Sequence, residues 1–316
     1  MIGYIVRRLI QAVLVTLLVL AGVFLLVHLL PGGPARAILG PRANSEQIAS
    51  FNAQYGLDKP LPLQFVTLVG NYLRGQFGDS YQLNQSVGGI ISENLPKSLL
   101  LVGLGYGIAI IVAIPLGIYQ AVRRNRIDDY VLTGASFIFY SMPPFWLGIL
   151  LIGIFSYTLH LLPPEGPQGE LGDFPAQWTS LILPVTTLAL ITIASFSRYM
   201  RSSMLENMVQ DYVRTARAKG ASSSRVLFVH VLRNALIPII TLIGLSVGYI
   251  FSGALITEVL FNYPGLGYVF QQAALKEDYP VVFGILVLAA FGTIVGNLLA
   301  DIMYAATDPR VRFSSR

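Results

Sequence analysis

An all-α, polytopic membrane protein with six transmembrane helices is the fold class this sequence predicts. Three observations predict it: the composition, the lengths of the apolar stretches, and the placement of basic residues between them. Of 316 residues, 54% are hydrophobic and 12% charged, and the mean hydropathy is +0.65. Soluble domains carry roughly 25% charged residues, so lipid is the solvent for most of this chain. The absence of cysteine excludes disulfides and thiolate metal sites and leaves the compartment open. Lys and Arg outnumber Asp and Glu, 21 to 16. In so apolar a chain that excess marks basic loops on one membrane face, not a nucleic-acid partner.

The first apolar stretch, residues 9–30, gives about 33 Å of helix, enough for a hydrocarbon core of about 30 Å. It exceeds a cleavable signal segment in length, and Pro31-Gly32-Gly33-Pro34 closes it without an Ala-x-Ala-like site, which predicts an uncleaved span. The other five are 98–121, 131–162, 179–197, 235–257 and 281–305. Stretch 131–162 is overlong and contains Ser141-Met142-Pro143-Pro144. Splitting it there would leave a first piece too short to cross, so a single kinked or tilted helix is expected.

Charge then orients the stack. The N-terminus (Arg7, Arg8), the 122–130 loop, the 198–234 loop and the tail (Arg310, Arg312, Arg316) together hold fifteen Lys and Arg. The opposite side holds six: Arg36, Arg42, Lys59, Arg74, Lys97 and Lys276. By the positive-inside rule both termini are cytoplasmic, and their lying on one side agrees with an even number of spans.

Two external regions have substance. In residues 31–97, turn-like punctuation at Gly56-Leu57-Asp58-Lys59-Pro60 and Gly75-Gln76-Phe77-Gly78-Asp79-Ser80 flanks a short amphipathic helix over residues 60–73. The segment fits a structured cap or a surface that touches ligand directly. Residues 258–279, with Phe261-Asn262-Tyr263-Pro264-Gly265-Leu266-Gly267, suit a re-entrant or folded-back loop.

Several functions are excluded by what is missing. No Gly-x-x-x-x-Gly-Lys-Ser/Thr occurs, so no P-loop of this chain hydrolyses nucleotide. His28, His160 and His230 are far apart and have no metal-ligand spacing. Neither Gly-x-Ser-x-Gly nor His-Glu-x-x-His appears, so no hydrolase motif is present. Glu258 and Asp301 lie near span ends, and no acidic or basic residue falls mid-span, unlike the relay of an ion-coupled carrier. A channel could still select with carbonyls alone.

The basic segment 198–234 stands out. Residues 207–219 are good helix formers, and Gly220 is placed as a C-terminal stop. Ala216 and Ala218 offer a small-residue surface to a partner's groove. Gly220-Ala221-Ser222-Ser223-Ser224 permits a tight reversal, with the serines as N-caps for residues 225–232. On the residues alone the segment fits a helix–turn–helix lever projecting from the membrane. It also fits a basic amphipathic stretch lying on anionic headgroups.

Motifs along the whole chain favour the lever. The segment resembles the EAA loop of ATP-binding-cassette importer permeases, Glu-Ala-Ala-x3-Gly-x9-Ile-x-Leu-Pro. Anchored on Gly220, the first three positions are Arg214, Thr215 and Ala216 and the last four are His230, Val231, Leu232 and Arg233, a poor match. It is close to the variant of the dipeptide/oligopeptide/nickel permeases, Asp-Tyr-Val-Arg-Thr-Ala-Arg-Ala-Lys-Gly followed by Leu-Arg-Asn-Ala-Leu-x-Pro. Here these are Asp211 to Gly220 and Leu232 to Pro238. Further landmarks similar to that family are Leu30-Pro31-Gly32-Gly33-Pro34, Tyr55-Gly56-Leu57-Asp58-Lys59-Pro60, Pro143-Pro144-Phe145-Trp146-Leu147-Gly148, Glu258 with Pro264-Gly265-Leu266-Gly267, and Asp308-Pro309-Arg310.

The resemblance, to the B-type subunit with its long external segment, implies the type I importer transmembrane fold. It implies residues 1–97 as first helix plus external segment, 98–305 as the transmembrane domain and 306–316 as a cytoplasmic tail. It assigns ATPase coupling to Asp211, Tyr212, Arg214, Thr215, Ala216, Arg217, Ala218, Lys219, Gly220, Ala221, Ser222, Ser223 and Ser224. Expected partners are a second homologous permease, two cytoplasmic ATPase subunits, an extracytoplasmic solute-binding protein and membrane lipid. ATP and Mg²⁺ would bind those ATPases and no cofactor this chain. The implied setting is a prokaryotic cytoplasmic (inner) membrane and the implied cargo a peptide, with nickel chelates or oligosaccharides as family-level alternatives. A stand-alone channel or secondary carrier is the competing class.

Overall fold

The computed structural model describes residues 2–29, 35, 36, 39, 42–83 and 85–307. The Leu30-to-Pro34 landmark, Asp308-Pro309-Arg310 and the tail beyond Thr307 lie outside the described residues. Every regular element among those described is helical: α1 (Ile2–His28), α2 (Ser45–Tyr55), α3 (Leu61–Leu73), α4 (Val87–Val122), α5 (Ile127–Ser141) and α6 (Pro144–Thr158) come first. A 3-10 turn (Leu171–Gln177) then leads into α7 (Trp178–Met208), α8 (Asp211–Ala218), α9 (Ser223–Ala235), α10 (Ile237–Ser252), α11 (Leu255–Leu260), α12 (Leu266–Leu275) and α13 (Tyr279–Thr307).

Three helical segments, Val87–Val122, Leu171–Met208 and Tyr279–Ala300, are long and apolar enough to cross a bilayer alone. Two bent pairs reach that length together, α5 with α6 and α9 with the Ile237–Ser246 part of α10. Helix α1 supplies 27 residues with Val13–Leu26 as its apolar stretch. Three helices and two bent pairs make up to five crossings by length and composition. With the shorter apolar stretch of α1 they are consistent with the six predicted spans, although the pair formed by α9 and α10 begins well before residue 235.

Small residues set the closest helix contacts. A Cβ on Gly105 would press into Leu188, and one on Gly117 into Met200 and the Ser197 carbonyl, so α4 and α7 touch nearly backbone to backbone. Gly244 does the same for α10 against Ala300 of α13. Between apolar helices in lipid such contact surfaces supply much of the attraction, because burial from water is unavailable there.

The expected single kinked helix over 131–162 is instead broken through 106°. Met142 (ψ 130°) and Pro143 (ψ 138°) are extended. Neither Pro143 nor Pro144 can donate a backbone hydrogen bond, and each disfavours helical geometry in the residue before it. Pro144 then opens α6, where its fixed φ suits a first helical turn.

At one end of the bundle, α3 is the predicted amphipathic helix, starting one residue later than expected. Helix α2 was not predicted. It is closed by a reciprocal capping box, Asn44 and Gln47 each accepting from the other's backbone N–H, and by Gly56 at φ +68°. Helix α4 begins at Val87, so residues 87–97, read as external segment, are its first turns. At 36 residues it spans about 54 Å and extends well past a hydrocarbon core. Burial holds the Tyr72 and Tyr81 hydroxyls above the ordinary phenol range, with the neighbouring Tyr55 and Asp278 adding to it at Tyr81.

The folded-back region is a pair of short helices, α11 and α12, wrapped around a buried carboxylate. Glu258 accepts from Ser98 Oγ at 2.8 Å and from the backbone N–H groups of Ala254, Gly267 and Tyr268 at 3.0, 2.7 and 3.2 Å. Ser98 Oγ in turn accepts from Leu266 N at 2.8 Å. Side chains at Gly265 or Gly267 would collide with the Glu258 carboxylate or the Leu255 backbone, which explains Pro264-Gly265-Leu266-Gly267. Buried Tyr263 donates to the Lys97 carbonyl at 2.6 Å. Asp278 accepts from Ser80 Oγ and from Tyr81 N, tying the 76–83 loop to α13.

Glu258→Ala strands these buried donors and is expected to cost about 3 kcal/mol. Glu258→Gln, which keeps acceptance at one oxygen, should lose less. Thermal melting of the detergent-solubilised protein orders the two, and a Glu258→Ala melting point equal to that of the unaltered protein would show that Glu258 does not hold the hairpin.

Candidate coupling site at the basic end of the bundle

The predicted 207–219 helix is interrupted. Helix α7 ends at Met208, residues Val209 and Gln210 leave the helix, and α8 restarts at Asp211. An acid in the first turn and Arg217 in the last suit the helix dipole. The far end closes as a Schellman motif: Gly220 N donates to the Arg217 carbonyl at 2.9 Å and Ala221 N to the Ala216 carbonyl at 3.1 Å. Gly220 has φ +81°, a conformation that costs other L-residues about 1–2 kcal/mol. Ser222 then caps α9, its Oγ accepting from Arg225 N at 3.4 Å. Both sequence-level signals, the glycine stop and the serine cap, are where they were expected.

This turn is anchored from beneath. Val213 of α8 and Val226, Val231 and Ala235 of α9 share a buried cluster with Ala121 of α4, Met200 and Met204 of α7, and Ile239 of α10. Tyr212 partly packs there, and its hydroxyl donates to Asn207 Oδ1 at 2.8 Å. The helix–turn–helix therefore sits as one packed unit on the ends of α4 and α7.

That packing corrects one expectation. Ala216 is 9% exposed and points into the cluster, so it cannot offer a surface to a partner's groove. It faces inward because it lies three residues after Val213, on the same helix face. Ala221 is half-buried against the same cluster. Asp211, Arg214, Thr215, Arg217, Ala218, Lys219, Gly220, Ser222, Ser223 and Ser224 are exposed. The Arg214–Asp211 pair is long, 3.6 Å, and open to solvent, so it contributes little. Arg217, Lys219 and Arg225 form no ion pair among the described residues. The exposed surface is basic.

Two of the basic residues assigned to this loop lie on α7. Arg198 stacks over Phe137 and Tyr140 of α5, with its guanidinium 4.2 and 4.5 Å from the ring centres. Arg201 pairs with Asp129. Conversely, Val209, Phe228 and Val229 are exposed at this end, 65%, 57% and 55% respectively, and were missed. A signal was available: Val226-Leu227-Phe228-Val229 is apolar around more than one helix face, so part of it must point outward. Among the described residues no group of three His, Cys, Asp or Glu could hold a metal ion.

Residues 113–313 match the family described as binding-protein-dependent transport system inner membrane component, and residues 1–102 match its N-terminal counterpart. The chain belongs to that family. It is a multi-pass inner-membrane permease subunit of an ABC importer, which removes the stand-alone channel or carrier reading. Among its relatives are the oligopeptide transport system permease protein AppB of Bacillus subtilis, 37% identical over 99% of this chain and 100% of that one. A probable peptide ABC transporter permease of Sinorhizobium fredii is 39% identical over 98% and 99%. The glutathione transport system permease protein GsiC of Salmonella typhi is 38% identical over 99% and 100%.

In this permease Gly220→Ala strains the turn by about 1–2 kcal/mol. The expected result is roughly tenfold faster trypsin cleavage at Arg217 and Lys219. Unchanged cleavage would mean that the left-handed turn is not what orders the loop.

Proposed function

We propose that the permease receives force from a cytoplasmic ATPase through the exposed face of Asp211, Arg214, Thr215, Arg217, Ala218, Lys219, Gly220, Ser222, Ser223 and Ser224. Phe228 and Val229 extend that face. The observation that carries this reading is the Schellman-closed turn seated on Met200 and Met204, because a lever transmits displacement only if it is packed rigidly onto the helices it moves. Tyr212, Ala216 and Ala221 act from beneath, as the packing that keeps the lever stiff.

In this reading both termini and the lever are cytoplasmic, consistent with the excess of basic residues on that side. Residues 1–97, 98–305 and 306–316 serve as first helix with external segment, transmembrane domain and tail. The subunit pairs with a second homologous permease and works with two ATPase subunits, which bind ATP and Mg²⁺, and with an extracytoplasmic solute-binding protein. Closure of the ATPase pair pushes the lever, and the spans alternate between inward- and outward-open states. Peptides are the cargo favoured by the names of the relatives, with selectivity residing largely in the binding protein.

Gly220→Pro and Ala218→Arg test the lever. Both should insert normally and lose ATP-driven uptake of labelled trialanine in vesicles holding the whole transporter. Uptake at the unaltered rate in either variant would remove the lever assignment.

A further inference from the structure

We propose that Arg198 and Arg201 are positioning residues that clamp α5 to α7, so that α5 travels with the lever as one body. The proposal rests on the coupling reading above and adds the route by which displacement leaves the lever.

The two arginines are three residues apart on α7 and therefore share one face. That face meets α5 at three levels. In the first turn of α5, Asp129 is 1% exposed and receives both Nε and one terminal nitrogen of Arg201, each at 2.8 Å. The remaining capacity of the carboxylate is filled by Asn125 N at 3.1 Å and Thr133 Oγ1 at 3.2 Å. Asn125 adopts φ +64°, a left-handed geometry that asparagine tolerates, in the turn whose N–H reaches the pair. Further along, the buried Ser136 and Ser197 hydroxyls lie 3.4 Å apart. In the last two turns Phe137 and Tyr140 take the Arg198 guanidinium.

An ion pair with one partner buried and the other, Arg201, a quarter exposed is a poor device for stability alone, since apolar residues of similar volume often serve as well. Its particular property is directional: a two-pronged guanidinium–carboxylate contact fixes both the distance and the rotation of two helices. Here the fixed pair is α7, which leads within a few residues into the lever, and α5, whose other end turns through 106° at Met142–Pro143. Displacement of α7 is thereby passed to the half-span that ends at the break.

This chain has no native cysteine, so cysteines introduced at exposed Val131 of α5 and Tyr199 of α7 can be spin-labelled on the purified subunit before the transporter is assembled. In the whole transporter their separation should agree within about 2 Å between nucleotide-free and ATP-vanadate-trapped states. Asp129→Asn should broaden that distance and lower trialanine uptake roughly tenfold, with ATP hydrolysis within about twofold of normal. Arg201→Gln should do the same, and the double variant should be no worse than either single one, as expected of a pair acting as a unit. A shift above about 5 Å in the unaltered protein on trapping, the size of one helical turn, would overturn the proposal. So would Asp129→Asn with an unchanged distance, with normal uptake, or with ATPase subunits missing from its pull-down. Absence of ATPase subunits from the unaltered assembly would instead remove the coupling reading itself, and the clamp with it.

Discussion

A backbone amide surrounded by lipid has no water to bond, and the rest of this structure depends on that constraint. Each crossing segment must satisfy its own N–H and carbonyl groups, so the described residues form helices across the bilayer. Breaks occur where the freed groups have another partner or are absent. At the break after Met142 the consecutive Pro143 and Pro144 bring no N–H groups to satisfy. At the α11–α12 fold the Glu258 carboxylate accepts the loose N–H groups of Ala254, Gly267 and Tyr268.

The turn between α8 and α9 satisfies its backbone groups by the same rule. Where α8 stops, the Schellman bonds take up its last carbonyls and Ser222 takes up an early donor of α9. With the polar groups of the turn satisfied locally, its apolar side is free to pack on Met200 and Met204. An exposed basic loop thereby becomes a rigid projection. Because Arg198 and Arg201 sit on the same α7 helix, the element that anchors the projection is also the one that grips α5.

Much of this was legible from residue order because the signals are local. Gly220 reads as a stop since few other residues take φ near +81° without strain, and Ser222 as a cap since its oxygen needs only a neighbour three residues on. Helix α3 followed from its own periodicity. Helix α2 was less visible: its caps, Asn44 and Gly56, are present, but Ser45–Tyr55 is mostly polar and so carries little apolar pattern, unlike Leu61–Leu73. The early start of α4 was hidden because Glu93 and Lys97 read as the polarity of a loop, whereas the helix simply projects past the lipid. Ala216 was assigned outward because small residues suit grooves, and only its packing partners decide which groove.

By itself the sequence determined the class, the six apolar stretches, the basic end and the turn at Gly220, all of which follow from transfer free energies and local backbone preference. The tertiary structure alone decided how far the α5–α6 break turns, which face of α8 is buried, and that Asp129 meets Arg201 across 72 positions. Those features depend on which helices become neighbours, and contact between helices is a property of the packed bundle.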